Sequence, residues 1–176
     1  MVYEFGDILD ARSYPSIGHF ILVVGETKSK GKDPEVMYYA VTSRVYAVFK
    51  DILNYFNSCL SRKDPHFQRF FAKEKKKSNI MQKGPLCQAV FLDKHTNYDS
   101  CLDVDSMVVI NREPELIDKK VLETLKSDGK VLYKTRLSPL DSINLMHSIK
   151  YSNDISTPRR MKISENFNKI KTLVAR

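Results

Sequence analysis

The chain of 176 residues contains no apolar run long enough to cross a bilayer. Its longest, Phe20 to Val24 and Ser106 to Ile110, are strand-sized, whereas a spanning helix needs roughly 20 apolar residues. No signal-peptide pattern opens the sequence, so the expectation is a cytoplasmic protein without membrane contact. Cysteine is sparse: Cys59, Cys87 and Cys101 are odd in number, far apart and free of any CxxC or Cys/His cluster. That excludes a disulfide framework and a zinc site and predicts reduced, mostly packed thiols. Asp99, Asp103 and Asp105 lack the glycine turn and terminal glutamate of an EF-hand. No phosphate-binding loop, dinucleotide-binding glycine pattern, Gly-x-Ser-x-Gly elbow or HExxH occurs, which lowers the common nucleotide-dependent, hydrolase and zinc-protease classes. No metal or cofactor is expected.

Positive charge is what the chain has in excess, with 29 Lys and Arg against 21 Asp and Glu and a net +8. It is unevenly placed. Residues 61–84 carry eight basic residues against Asp64 and Glu74, and residues 157–176 carry six against Glu165. Clustered charge of this kind suits a polyanionic partner; a solvated, solubilising surface is the plain alternative.

The length fits one domain with one main core. Strands are expected at Val2 to Asp10, His19 to Gly25 and Val36 to Arg44, the second a β-branched apolar run. Tyr46, Phe49, Leu53, Phe56 and Leu60 recur at helical spacing, and Asp64-Pro65 opens a second helical unit that ends at Gly84-Pro85. Strands follow at Gln88 to Asp93 and Ser106 to Asn111. A helix is expected from Glu113 to Lys126 with Ile117, Val121 and Leu125 on its inner face. A strand from Lys130 to Leu137 precedes a helix opened by Ser138-Pro139, with Leu140, Ile143 and Met146 as its apolar stripe. The tail forms an amphipathic helix carrying Ile163, Phe167, Ile170 and Val174, available to dock on the body, a partner or RNA. The fold class is therefore α+β: a domain over residues 1–156 with a helical insert at about 45–84, then a basic C-terminal helix at 157–176.

Gly6-Asp7-Ile8-Leu9, the strand His19 to Val24, and Tyr39-Ala40-Val41-Thr42-Ser43-Arg44 together resemble the opening of the PemK/MazF-like toxins, mainly over residues 5–44. Asp103 to Ile110 is similar to a later Asp-Ser-plus-strand element of that family. The resemblance implies an antiparallel, SH3-like small barrel, here with inserted helices as in the larger RNA-antitoxin branch. It also implies metal-independent cleavage of RNA and an antitoxin, protein or RNA, as partner. Where the family has Arg or Lys followed by Pro, this chain has His19 followed by Phe20.

Such cleavage needs a base for the 2′-hydroxyl proton, an acid for the leaving oxygen and positive charge for the transition state. By analogy, Thr42 and Ser43 lie at the scissile phosphate, Arg44 supplies charge, and His19 exchanges the proton. Read structurally, the same residues are a strand end with a surface arginine. Arg69, Lys73, Lys75, Lys76 and Lys77, interleaved with phenylalanines, and Arg159 and Arg160 in the tail are the candidate RNA contacts. His66, His95 and His147 are not spaced as metal ligands. Two further classes remain open: a nucleic-acid-binding module without catalysis, of phage or mobile-element origin, and a protein-interaction adaptor.

Overall fold

The computed structural model describes residues 2–43, 89–92, 98, 101–110, 112–152 and 154–174. The helices expected around 46–60 and 64–84 lie outside the described residues. Among the described residues seven strands form one sheet: β1 (Asp7–Asp10), β2 (Phe20–Thr27), β3 (Glu35–Thr42), β4 (Ala89–Leu92), β5 (Ser106–Val109), β6 (Glu115–Asp118) and β7 (Leu132–Arg136). The order is β4-β5-β3-β2-β1-β7, with β6 also on β3. Every pairing is antiparallel, and the sheet curls into a half-barrel. β5 and β6 follow one another along the same edge of β3, at Val41–Thr42 and at Glu35–Tyr38. The register slips between Val23 and Gly25 and between Ile8 and Leu9; such bulges bend a strand and increase its twist.

The apolar run of β2 has no polar face to give to water. Ile21, Leu22, Val23 and Val24 are all fully buried, and side chains alternate between the two faces of a strand. Both faces must therefore be covered, and two cores result. On one, Ile8, Leu22, Val24, Met37, Tyr39, Val41 and Val108 pack with Leu145 and Ile149 of α2 (Pro139–Tyr151) and Ile163 of α3 (Thr157–Val174). On the other, Leu9, Ile21, Val23, Val36 and Tyr38 pack with Leu122 and Leu125 of α1 (Lys119–Ser127). Burial on both faces is the ordinary reason for a continuous rather than alternating apolar strand.

The α+β expectation holds, with three local corrections. The first strand is shorter than expected, because residues 2–6 precede the ladder that starts at Asp7. Glu113 to Lys126 is not one helix: Glu115–Asp118 pairs with Tyr38–Glu35 as a strand, and the helix begins at Lys119. Asp118 ends the strand and caps the helix, its side chain accepting from the Lys120 and Val121 amides at 2.7 and 3.3 Å. Leu122 and Leu125 face the core, while Val121 is exposed and Ile117 belongs to the strand. In α2 the buried residues are Leu145, Ser148 and Ile149, and Leu140 and Ile143 of the expected stripe face outward.

Of the destinations open to the C-terminal helix, it takes the body. Ile163 is fully buried, and Phe167 meets Phe5 edge-on at 5.1 Å between ring centroids. Gly25 makes the close approach possible. Its φ is +130°, and a β-carbon there would lie 2.4 Å from the Asn166 side chain. Asn166 in turn donates from Nδ2 to the Glu26 carbonyl at 3.1 Å. Gly25→Ala should therefore lower stability by about 1–3 kcal/mol from the backbone conformation alone, plus the steric conflict. In urea unfolding, Asn166→Ala in the Gly25→Ala background should recover only part of the steric cost, because the β-carbon at position 166 stays 2.6 Å from the new one.

Candidate functional site

Three of the residues singled out in the sequence, His19, Thr42 and Ser43, lie at one end of the sheet, where β1 ends, β2 begins and β3 ends. Asp10 pairs with Phe20, and Phe20 with Val41. The Ala11 amide donates to the His19 carbonyl at 3.2 Å, carrying the β1–β2 ladder one residue further. Extending the β2–β3 register one residue past its last pair, Phe20 with Val41, puts position 19 opposite Thr42. Their face follows from the ladder: Ile21 and Ala40 are paired, and Ile21 belongs to the α1-side core. Two residues on from each, His19 and Thr42 lie on that same face. His19 and Ser43 are exposed and Thr42 is half-buried against its neighbour Met107. Arg44 lies outside the described residues.

The opposite face at this end carries charge that the sequence reading missed. Arg12 donates to both Asp10 carboxylate oxygens at 3.0 and 2.9 Å and to Asp103 at 2.8 Å. Its guanidinium lies 4.3 Å from the centroid of the Phe20 ring, a cation–π distance. Lys134 Nζ is 3.6 Å from Asp10. Arg12 holds the Asp10 carboxyl below its ordinary range, mainly through the side-chain hydrogen bonds, and its own pKa is raised by Asp10 first and Asp103 second. The network fastens the turn after β1 to the loop before β5. The Asp10-Ala11-Arg12 spacing was the available signal, because residues two apart at a strand end share a face. Cys101, a free thiol nearby, is half-buried and its pKa is raised by desolvation.

The other candidates sit elsewhere. Arg160 donates to the Ser152 carbonyl at 3.0 Å and the Lys150 carbonyl at 3.4 Å, so its guanidinium satisfies carbonyls left open at the end of α2. Arg159 is 3.9 Å from Glu113. Arg69, Lys73, Lys75, Lys76 and Lys77, with His66 and His95, lie outside the described residues. His147 is exposed and packs edge-on against Tyr151. Among the described residues no group of three His, Cys, Asp or Glu could hold a metal ion, and no helix is long and apolar enough to cross a membrane. No protein-family model matches the chain, and no curated protein or solved structure matches it at a significant level.

The two carboxylates of β1 respond oppositely to their surroundings. Asp7 is buried, and desolvation raises its pKa even though Arg136 donates to it at 2.9 Å. Arg136 keeps contact with solvent and its charge is favoured, its pKa being raised by Asp7 and Glu4. A raised carboxyl pKa gives stability that is present below the unfolded value of 3.8 and lost as pH rises through the folded value. The lowered pKa of Asp10 gives stability that is present above 3.8 and lost as pH falls through the folded value. Urea midpoints between about pH 2 and about pH 6 should therefore separate wild type from Asp7→Asn and from Asp10→Asn with slopes of opposite sign.

Proposed function

We propose that the chain is a metal-independent endoribonuclease of the toxin–antitoxin type that cleaves single-stranded RNA. The observation that carries this reading is the placement of His19 beside Thr42, on one face at the exposed end of a curled antiparallel sheet. The His19 imidazole would take the 2′-hydroxyl proton and return one to the leaving oxygen. The Thr42 and Ser43 hydroxyls donate to the scissile phosphate, and Arg44 contributes charge as the phosphorane forms. The curled sheet is compatible with the small barrel of the PemK/MazF-like toxins, and an antitoxin, protein or RNA, would act by covering this end of it. The lysines at 73–77 supply sequence-independent attraction for the RNA backbone.

One observation favours a second reading, binding without cleavage. Arg12 lies across the sheet from His19 and is already held by two carboxylates, so it brings no uncompensated charge to the phosphate.

Purified protein incubated with single-stranded RNA in EDTA decides between them. Cleavage should occur, fall by about 10²–10⁴-fold in His19→Ala, and fall again with Thr42→Ala or Ser43→Ala while RNA affinity is kept. Intact RNA despite tight, salt-sensitive binding would establish the binding module instead. Neutralising Lys75, Lys76 and Lys77 together should weaken RNA binding and flatten its dependence on salt, read by fluorescence anisotropy across a salt series.

A further inference from the structure

We propose that the turn between β2 and β3 is a second contact for the RNA, a backbone-binding point carried by Lys28, Lys30 and Lys32 at the far end of the sheet from His19. It rests on the reading of RNA as the ligand and extends that reading to residues it does not use. The distribution of paired charge is the first ground. Among the lysines and arginines whose side chains are described, these three are the ones without a partner. Every other one has a partner. Arg12, Lys119 and Arg136 meet carboxylates, Arg160 donates to backbone carbonyls, and Lys150 lies 5.6 Å from the centroid of the Tyr151 ring.

The local structure gathers the three side chains at one tip. The β2–β3 ladder ends at the pair Thr27 and Glu35, and residues 28–33 are all exposed. The Lys32 amide donates to the Ser29 carbonyl at 3.1 Å, closing a turn with Lys30 and Gly31 at its centre. Gly31 has a φ of +77°, as the third position of a type II turn requires. A β-carbon there would meet nothing within 4 Å, so the tip projects into open space. Its base is fixed, because the Lys119 amide of α1 donates to the Pro34 carbonyl at 3.0 Å. The acids nearby are mostly occupied: Lys119 takes Glu26 at 2.8 Å, Lys120 takes Asp33 at 2.9 Å, and Asp118 caps α1. Glu35 remains at the base against three lysines. Like charges crowded into one turn repel, and a bound polyanion relieves that repulsion.

The chemistry of the tip selects the anion. Residues 28–34, Lys-Ser-Lys-Gly-Lys-Asp-Pro, carry no aromatic or long aliphatic side chain to enter a bilayer interface or to stack on a base. None is an arginine, whose planar fork would grip one phosphate or carboxylate at two points. Lysines are point charges on flexible stems, which suits a repeating phosphate backbone that is positioned without its sequence being read. At about 3.3 Å per residue, Phe20–Thr27 separates this tip from the His19 end by about 25 Å. An RNA long enough to span both is held at two points, the second raising affinity through effective concentration.

The test is fluorescence anisotropy with a single-stranded RNA that spans both points, over a salt series in EDTA, with the full chain carrying His19→Ala so that the RNA survives. Adding Lys28→Gln, Lys30→Gln and Lys32→Gln together should lower the slope of log affinity against log salt by about 2, at about 0.7 per phosphate contact on a single strand. Near 0.1 M salt that is a loss of about 100-fold in affinity. The same three positions changed to Arg should keep the slope, and so should Lys162→Gln, whose charge Glu165 already meets at 2.9 Å. An unchanged slope in the Gln variant, with the parent binding RNA, would overturn this contact and leave the His19 site standing. A lowered slope in a chain whose His19 form leaves RNA intact keeps this contact and removes the cleavage reading. No RNA binding by the parent overturns both. A Gln variant that keeps its RNA affinity and loses only its binding to phosphatidylserine vesicles overturns the contact in favour of a lipid surface.

Discussion

β2 runs through the middle of the sheet with four consecutive apolar side chains, and neither of its faces can meet water. At roughly 25 cal/mol per Å² of apolar surface, exposing either half of Ile21–Val24 would cost more than a small domain can spare. The rest of the architecture answers that constraint. α1 closes one face, α2 and α3 close the other, and Gly25 gives up its side chain so that Asn166 can bring α3 down onto the strand. The basic tail is consequently part of the fold, and its inner residues are committed to the core.

The same constraint positions the candidate site. With both faces of the sheet occupied at mid-strand, polar side chains can cluster only at the strand ends. At the end where β1 passes to β2 they separate by face. His19 and Thr42 stand on one side; Asp10, Arg12, Asp103 and Lys134 form a charge-balanced network on the other. The second group ties loops together. The first faces solvent through the exposed His19 ring, with Thr42 half-buried.

Much of the strand framework is legible in the sequence because β-branched runs bounded by turn residues have few alternatives, as at Phe20–Val24 and Ser106–Val109. Ser138-Pro139 announced α2 because a capping hydroxyl and a proline at the first helical position act locally; Ser138 Oγ accepts from the Asp141 amide at 3.1 Å. The segment opening the helix expected over Glu113 to Lys126 misled for the same kind of reason. It resembles a helix start, yet Glu115–Asp118 finds a free edge of β3, and pairing with a distant strand outweighs a local signal. The inward face of α2 was hidden by its serines: Ser148 and Ser152 are buried, and Ser152 Oγ donates to the Ile110 carbonyl at 3.4 Å. A search for apolar residues alone finds the outer stripe instead. Thr42, Ser43 and His19 were singled out from their sequence context alone, whereas the Arg12 network was not legible because its partner Asp103 is 91 positions away.

The central claim is that the sheet end carrying His19 and Thr42 is where RNA engages. The most direct measurement is an NMR titration of the labelled protein with a single-stranded RNA in EDTA. The account predicts shifts concentrated on the amides of His19, Phe20, Thr42 and Ser43 and on the His19 ring protons. Saturable RNA binding that leaves those signals in place and moves only residues of α1, α2 or α3 would contradict it.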